Sequence, residues 1–284
     1  MFRDISFGQY YPASSPVHRL DPRIKLILTV LYIVTIFFIE TYFSYLVTFV
    51  FLIVVILLSR VPMLSVLKSV KGVIFLVLFA SVLNLFFVKT GDVIYEKQIT
   101  SVWHFMITWD GVHNSIKLTL RLILLIAGAS IITLTTTPMR LTDGVESLLK
   151  PLKLVKFPVH DVAIIMSIAL RFIPTLLEET NKIINAQKAR GASFDTGGIF
   201  KRAKAMLPIL IPLFVSAFRR ADELAFALDS RCYNATEKRT KMKKLKMHFS
   251  DLVATLITAG YATVIFLDRY YFMGLDHMFF PEVF

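Results

Sequence analysis

The sequence predicts an all-α, polytopic membrane protein. It has about five transmembrane helices and a cytoplasmic helical domain inserted between the fourth and fifth. Three observations carry this. First, 56% of the 284 residues are hydrophobic and only 18% are charged, whereas soluble domains carry about a quarter charged residues. Second, apolar runs of near-spanning length recur along the chain. Third, the surplus charge sits in one stretch: of a net +12, the segment from Arg140 to Lys246 supplies 20 Lys and Arg against 10 Asp and Glu. The expected layout is an N-terminal arm and spans one to four over residues 1–138, the inserted domain with two long helices over 139–248, and a fifth span with an extracytoplasmic tail over 249–284.

About 20 helical residues cross a hydrocarbon core of roughly 30 Å. Leu26–Ile39 and Tyr42–Leu58, split by Glu40, read as a tight hairpin of two short spans. Gly72–Val88 is the third run, with Ser81 and Asn84 placed for interhelical hydrogen bonds. Ile116–Thr135 is the fourth and Leu252–Leu267 the fifth. Lys117 and Arg121, early in the fourth run, have two readings: snorkelling to the headgroups, or contact with another subunit. Ala127-Gly128-Ala129 and Ala259-Gly260 suit close helix contacts.

Orientation follows the distribution of Lys and Arg in the loops. Arg3, Arg19, Arg23 and Lys25 precede the first run, none lies in the first turn, and Arg60, Lys68 and Lys71 follow the second run. Only Lys89 and Lys97 lie between Lys89 and Ser115, and the tail carries Asp268, Asp276 and Glu282 against Arg269. The N-terminus is therefore expected in the cytoplasm and the C-terminus outside. No apolar core precedes Leu26, so the first span itself acts as the targeting element.

Within the insertion, Val159–Leu177 is apolar but contains Asp161, Arg171 and Pro174, and reads as part of a long helix from Val159 to Ala189 rather than a sixth span. Val162, Ile165, Ala169, Ile173, Leu176 and Ile183 recur at helical spacing, with Pro158 at the start and Gly191 past the end. A second long helix covers Ile199–Ser230, with a stripe through Leu207, Leu210, Phe214, Phe218, Ala221, Ala225 and Leu228. Pro208 and Pro212 are expected to kink or break it. A short helix from Thr142 to Leu149, capped by Thr142 and stopped by Pro151, precedes both. The run Glu237–Lys246 reads as a basic anchor against anionic lipid.

Each long helix ends in an Arg between small residues: Ala189-Arg190-Gly191 and Ser230-Arg231-Cys232. Two readings stand. Cations suit helix C-termini and cap them, and a guanidinium presents a planar fork of donors for a partner carboxylate. Repetition on successive helices draws attention to the second.

The segment Val17-His18-Arg19-Leu20-Asp21-Pro22-Arg23-Ile24-Lys25-Leu26 resembles the opening signature of the transmembrane T component of energy-coupling factor (ECF) transporters, the CbiQ/EcfT-like family. Ala169-Leu170-Arg171-Phe172-Ile173-Pro174, Ala186-Gln187-Lys188-Ala189-Arg190-Gly191 and Ser230-Arg231-Cys232-Tyr233 resemble the same family, in order from about Gly8 to Leu267. The resemblance implies a non-catalytic subunit that couples two cytoplasmic ABC-type ATPases to a small membrane protein capturing a vitamin or other micronutrient. It implies ATPase contacts at Ala189, Arg190, Gly191, Ser230, Arg231 and Cys232. It further implies that the apolar stripes, Ile165, Ala169 and Ile173 with Leu207, Leu210, Phe214 and Phe218, carry the substrate-capturing subunit.

The residues themselves hold no phosphate-cradling G-x-x-x-x-G-K-[ST] and no catalytic constellation. Six scattered His and the single Cys232 form no metal-ligand spacing. No cofactor, metal or nucleic-acid partner is expected; the partners are the lipid membrane and proteins. An intramembrane enzyme, or a membrane anchor with a basic lipid- or protein-binding domain, is the rival reading. An enzyme would need polar groups converging inside the spans, and these spans offer almost none.

Overall fold

The computed structural model describes residues 10–88, 93–100, 103–151, 158–192, 198–233 and 247–271. Contacts divide it into two units, one of residues 9–145 with 245–284 and one of residues 146–244. The basic run Glu237–Lys246 and the acidic tail residues Asp276 and Glu282 lie outside the described residues.

The first unit opens with a single turn, α1 (Pro16–Arg19), and then α2 (Pro22–Phe37). Ser15 caps α1 by accepting from the His18 amide, and Asp21 caps α2 by accepting from the Arg23 amide, with Pro22 at the first helical position. α3 (Tyr42–Ser59) follows, capped by Thr41. The third apolar run holds one helix, and a further helix precedes it. α4 (Met63–Lys71) stops at Gly72, and α5 (Ile74–Phe87) leaves it at a 55° bend. Glycine, with no Cβ and a large entropy to lose, is a weak point in any helix.

An antiparallel hairpin, β1 (Val93–Thr100) and β2 (Trp103–Thr108), occupies part of the expected third loop. α6 (Trp109–Thr135) then starts seven residues before the predicted span, capped by Thr108. α7 (Pro138–Leu148) follows, and α10 (Phe249–Tyr271) completes the unit. Thr142 lies inside α7 and its hydroxyl donates back to the Pro138 carbonyl at 3.0 Å, so it does not cap. Pro138, whose fixed φ suits a first turn, starts the helix instead.

Among the described residues, three helices are long and apolar enough to cross a membrane: α3, α6 and α10. The bent pair α4–α5 raises the number to four if taken as one span. α2, with 16 residues, reaches about 24 Å, and α5 alone is shorter still. The helix over Val159–Ala189 is not among these.

Tyr32, Ile36, Leu52, Ile56, Leu124, Tyr261 and Ile265 form the core where α2, α3, α6 and α10 meet. Gly128 permits the closest approach. A Cβ there would lie 2.0 Å from the Tyr32 ring, and that ring is fixed by a 3.0 Å hydrogen bond from its hydroxyl to the Leu124 carbonyl. Phe51 stacks on Tyr261 at 4.3 Å. Ser81 and Ser115 exchange hydroxyl-to-carbonyl bonds of 3.2 and 3.0 Å between α5 and α6. Asn84 does not share the role expected of it: its buried Oδ1 has no partner among the described residues. Gly260 also meets no neighbour.

Arg121 reaches the end of a neighbouring helix. It donates at 2.7 Å to the Ile39 carbonyl, one of the acceptors left open just past the end of α2. Nearby in sequence, Thr41 and Ser44 both donate to the buried Asp268 at the end of α10. The next residue, Arg269, pairs with Glu40 at 3.0 Å.

The second unit holds α8 (Val159–Ala189) and α9 (Ile199–Asp229). Pro174 lies within α8, and Pro208 and Pro212 within α9, which nonetheless runs as one helix. Pro158 sits at the N-cap of α8 rather than inside its first turn.

Candidate partner-docking site

The two Arg triplets fold into the same cap. At the end of α8 the Ala192 amide donates to the Gln187 carbonyl at 3.0 Å, and the Gly191 amide to the Lys188 carbonyl at 2.9 Å. At the end of α9 the Tyr233 amide donates to the Leu228 carbonyl at 3.0 Å, and the Cys232 amide to the Asp229 carbonyl at 2.9 Å. This is the Schellman pattern in both places. The turn residue is left-handed in each: Gly191 at φ +85° and Cys232 at φ +51°. A non-glycine residue in that region is uncommon. Cys232 is therefore held there by the cap, and Arg190 and Arg231 occupy equivalent positions, one residue before the left-handed turn.

Ala189, Arg190, Gly191, Ser230, Arg231 and Cys232 are all exposed. Neither guanidinium enters an ion pair among the described residues. With its last carbonyls bonded to backbone amides, neither helix needs its arginine as a cap. The charge is left available to something outside the unit.

The stripes face outward too. Ile165 is 64% exposed and Phe218 68%; Ala169, Ile173, Leu207, Leu210 and Phe214 are exposed as well. The buried apolar residues of this unit are others: Val159, Ala163 and Ile209. α8 and α9 are also joined by polar contacts. Glu179 on α8 accepts from the Ser216 hydroxyl and from Arg220 at 3.1 Å, both on α9. The apolar face of α9 is wider than the predicted stripe, since Met206, Ile211, Val215 and Phe226 are exposed beside it. Ile211 and Val215 repeat at a spacing of four, a signal present in the sequence. The Glu179 link joins residues 37 and 41 positions apart, which no local spacing announces.

Contiguous exposed apolar surface on an otherwise charged helix pair marks an interaction site. Flanking it with two exposed, identically capped arginines gives a surface that can bind one partner by apolar contact and others by guanidinium–carboxylate pairing.

Comparisons with known proteins bear on the family. The CbiQ family, described as cobalt transport protein, matches residues 13–242. The chain is 50% identical over 273 residues to the energy-coupling factor transporter transmembrane protein EcfT of Ruminiclostridium cellulolyticum, covering 96% of this chain and 100% of that protein. It is 46% identical to the EcfT of Thermosediminibacter oceani over 94% of this chain and 99% of that one. It is 42% identical to that of Clostridium kluyveri over 95% and 98%.

Proposed function

Because the chain belongs to the CbiQ family, among the transmembrane proteins of energy-coupling factor transporters, we propose that it couples two cytoplasmic ABC-type ATPases to a small membrane subunit that captures a vitamin or other micronutrient. Arg190 and Arg231 each dock on one ATPase, with Ala189, Gly191, Ser230 and Cys232 lining the contacts. The outward faces of α8 and α9, through Ile165, Ala169, Ile173, Leu207, Leu210, Phe214 and Phe218, carry the capturing subunit. The chain crosses the membrane five times in this reading, with the bent pair α4–α5 counted as one and α2 as a short first span; the Lys and Arg of the N-terminal arm and of the inserted unit support a cytoplasmic side for both, which leaves the C-terminus outside.

The observation that carries this reading is the repeated cap. Two helices of one unit end in the same turn, each presenting an exposed guanidinium with no partner among the described residues. Closure and opening of the ATPases would then move the two helix ends, and the apolar faces with them. Reversing the charge at both ends by Arg190→Glu with Arg231→Glu removes the pairing and adds repulsion. Breaking one side of a buried charge pair costs several kcal/mol, so ATPase co-purification should fall by roughly 100-fold and uptake should stop. Undiminished co-purification together with undiminished uptake in the double variant rules the reading out.

A further inference from the structure

In the first unit, α2, α3, α6 and α10 enclose a cleft of about 670 Å³, within the usual range of roughly 300–1,000 Å³ for ligand sites. Its walls are almost wholly apolar, with Leu28, Val55, Ile131, Ala254 and Ile257 representing the four helices, and its one charged lining residue is Lys25. The cleft has a direction. Its Lys25 end lies where α2 and α10 begin and α3 and α6 finish, the level at which spanning helices leave the hydrocarbon. On α10 its lining runs from Phe249 to Thr258, about 13 Å at 1.5 Å per residue, close to half of a roughly 30 Å core. It is one leaflet deep.

Lys25 is 6% exposed. Its ammonium donates to the Thr135 carbonyl at 3.0 Å and to the Thr136 hydroxyl at 3.1 Å, which uses two of its three donors. No carboxylate pairs with it among the described residues. The oxygens of Asp251 are taken by the Asp21 and His248 amides at 2.8 and 2.7 Å. Asp21 turns one oxygen to the Arg23 amide at 2.9 Å. A buried cation with no carboxylate in direct contact is costly, and Asp251 acts on it only from a distance. Arg19, Arg60 and Arg140 stand at or near the same helix ends, adding positive charge at that level, while Arg23 pairs with Asp21 at 3.9 Å.

An apolar groove one leaflet deep, closed at the membrane boundary by an unpaired ammonium among arginines, is complementary to an amphiphile with an anionic head. We propose that the cleft holds an acyl chain of one anionic phospholipid from the surrounding bilayer, whose headgroup phosphate accepts from Lys25. The lipid completes the packing of α2 against α10 and supplies the direct ion pair that Lys25 lacks.

The test uses the complex of this chain with its ATPase and substrate-capturing subunits. It is equilibrated in detergent with equal phosphatidylglycerol and phosphatidylcholine, washed, and examined by native mass spectrometry. One phosphatidylglycerol per complex should survive the wash, at least tenfold over phosphatidylcholine. Ala254→Trp, which fills the cleft, should reduce its retention at least tenfold, and Lys25→Gln should keep a lipid but lose the preference for phosphatidylglycerol. Retention of no lipid, equal retention of both lipids, detergent alone in the cleft, or undiminished retention in Ala254→Trp would each overturn the proposal. Ile131→Trp fills the cleft from another helix should Ala254→Trp fail to fold, and the wild-type preference decides in either case. Because the readout is lipid mass and not uptake, it stands apart from the reading of Arg190 and Arg231.

Discussion

The two units expose apolar surface for different reasons. In the first, α3, α6 and α10 are apolar around most of their circumference, so residues such as Leu57 and Leu256, exposed in the isolated chain, meet lipid. Their inward sides still close a core with α2 and the turn after it, where Ile36, Ile39 and Ile265 are fully buried. In the second unit only Val159, Ala163 and Ile209 count as buried apolar residues among those described. Neither of its helices is among those found long and apolar enough to cross a membrane, yet Phe214, Phe218 and Phe226 stand in the open. Exposure on a span is a statement about solvent, whereas on an amphipathic helix it is a statement about missing partners. The first unit is built to hold itself together, and the second to be held by others.

The sharpest break between the two should come from a change inside the first unit. Gly128→Leu drives a side chain into the Tyr32 ring, which cannot retreat because Phe51, Tyr261 and the Leu124 carbonyl hold it. Overpacking of this kind costs about 3 kcal/mol or more. Thermal unfolding in detergent should show a clear drop in midpoint. An unchanged midpoint would mean the helices part more easily there than their packing implies.

Smaller effects, of opposite sign, belong to the two caps. Gly191→Ala forces a Cβ onto a left-handed backbone and should destabilise the end of α8 by about 1 kcal/mol. Cys232→Gly relaxes the matching position on α9 and should stabilise that end by a few tenths of a kcal/mol up to about 1. Hydrogen exchange at the amides of Ala192 and Tyr233, which close the two turns, reads each end separately. If both variants shift exchange in the same direction, the two ends are not equivalent.

Much of this was legible in the sequence because it depends on local chemistry. The bounds of α8 follow from helical spacing and the flanking Pro158 and Gly191, and α9 ends one residue before Ser230. The opening signature contained its own explanation. His18 takes contacts from Ser15 and Tyr11 at 2.7 and 3.0 Å and so ties down the arm, while burial pushes its imidazole below the usual range. What stayed hidden depends on distance or on brevity. α4 is nine residues long and lies in what reads as the basic loop before Gly72–Val88, so neither it nor its bend against α5 stood out. The hairpin over 93–108 has a β-branched and aromatic composition that could have signalled it. Arg121 finds its acceptor 82 residues away, and Glu179 joins the middles of two helices, so neither could be inferred from spacing. At the candidate site, both arginines could be read from the sequence, but the identical caps beneath them could not.

The smallest effect on the chain itself tests the comparison most directly. Phe214 and Phe218 stack on one another at 6.4 Å on the outward face of α9, and their exposure means that little apolar area is removed from water when the unit folds. Phe214→Ser with Phe218→Ser should therefore change the stability of the isolated chain by less than about 0.5 kcal/mol. The same pair should weaken retention of the substrate-capturing subunit by at least tenfold, because the apolar area lost belongs to that interface. Thermal unfolding of the chain and co-purification of the subunit give the two numbers independently. A loss of several kcal/mol in the chain would mean these rings support the unit's own fold, and the contrast between a self-contained unit and a partner-dependent one would fail at its strongest point.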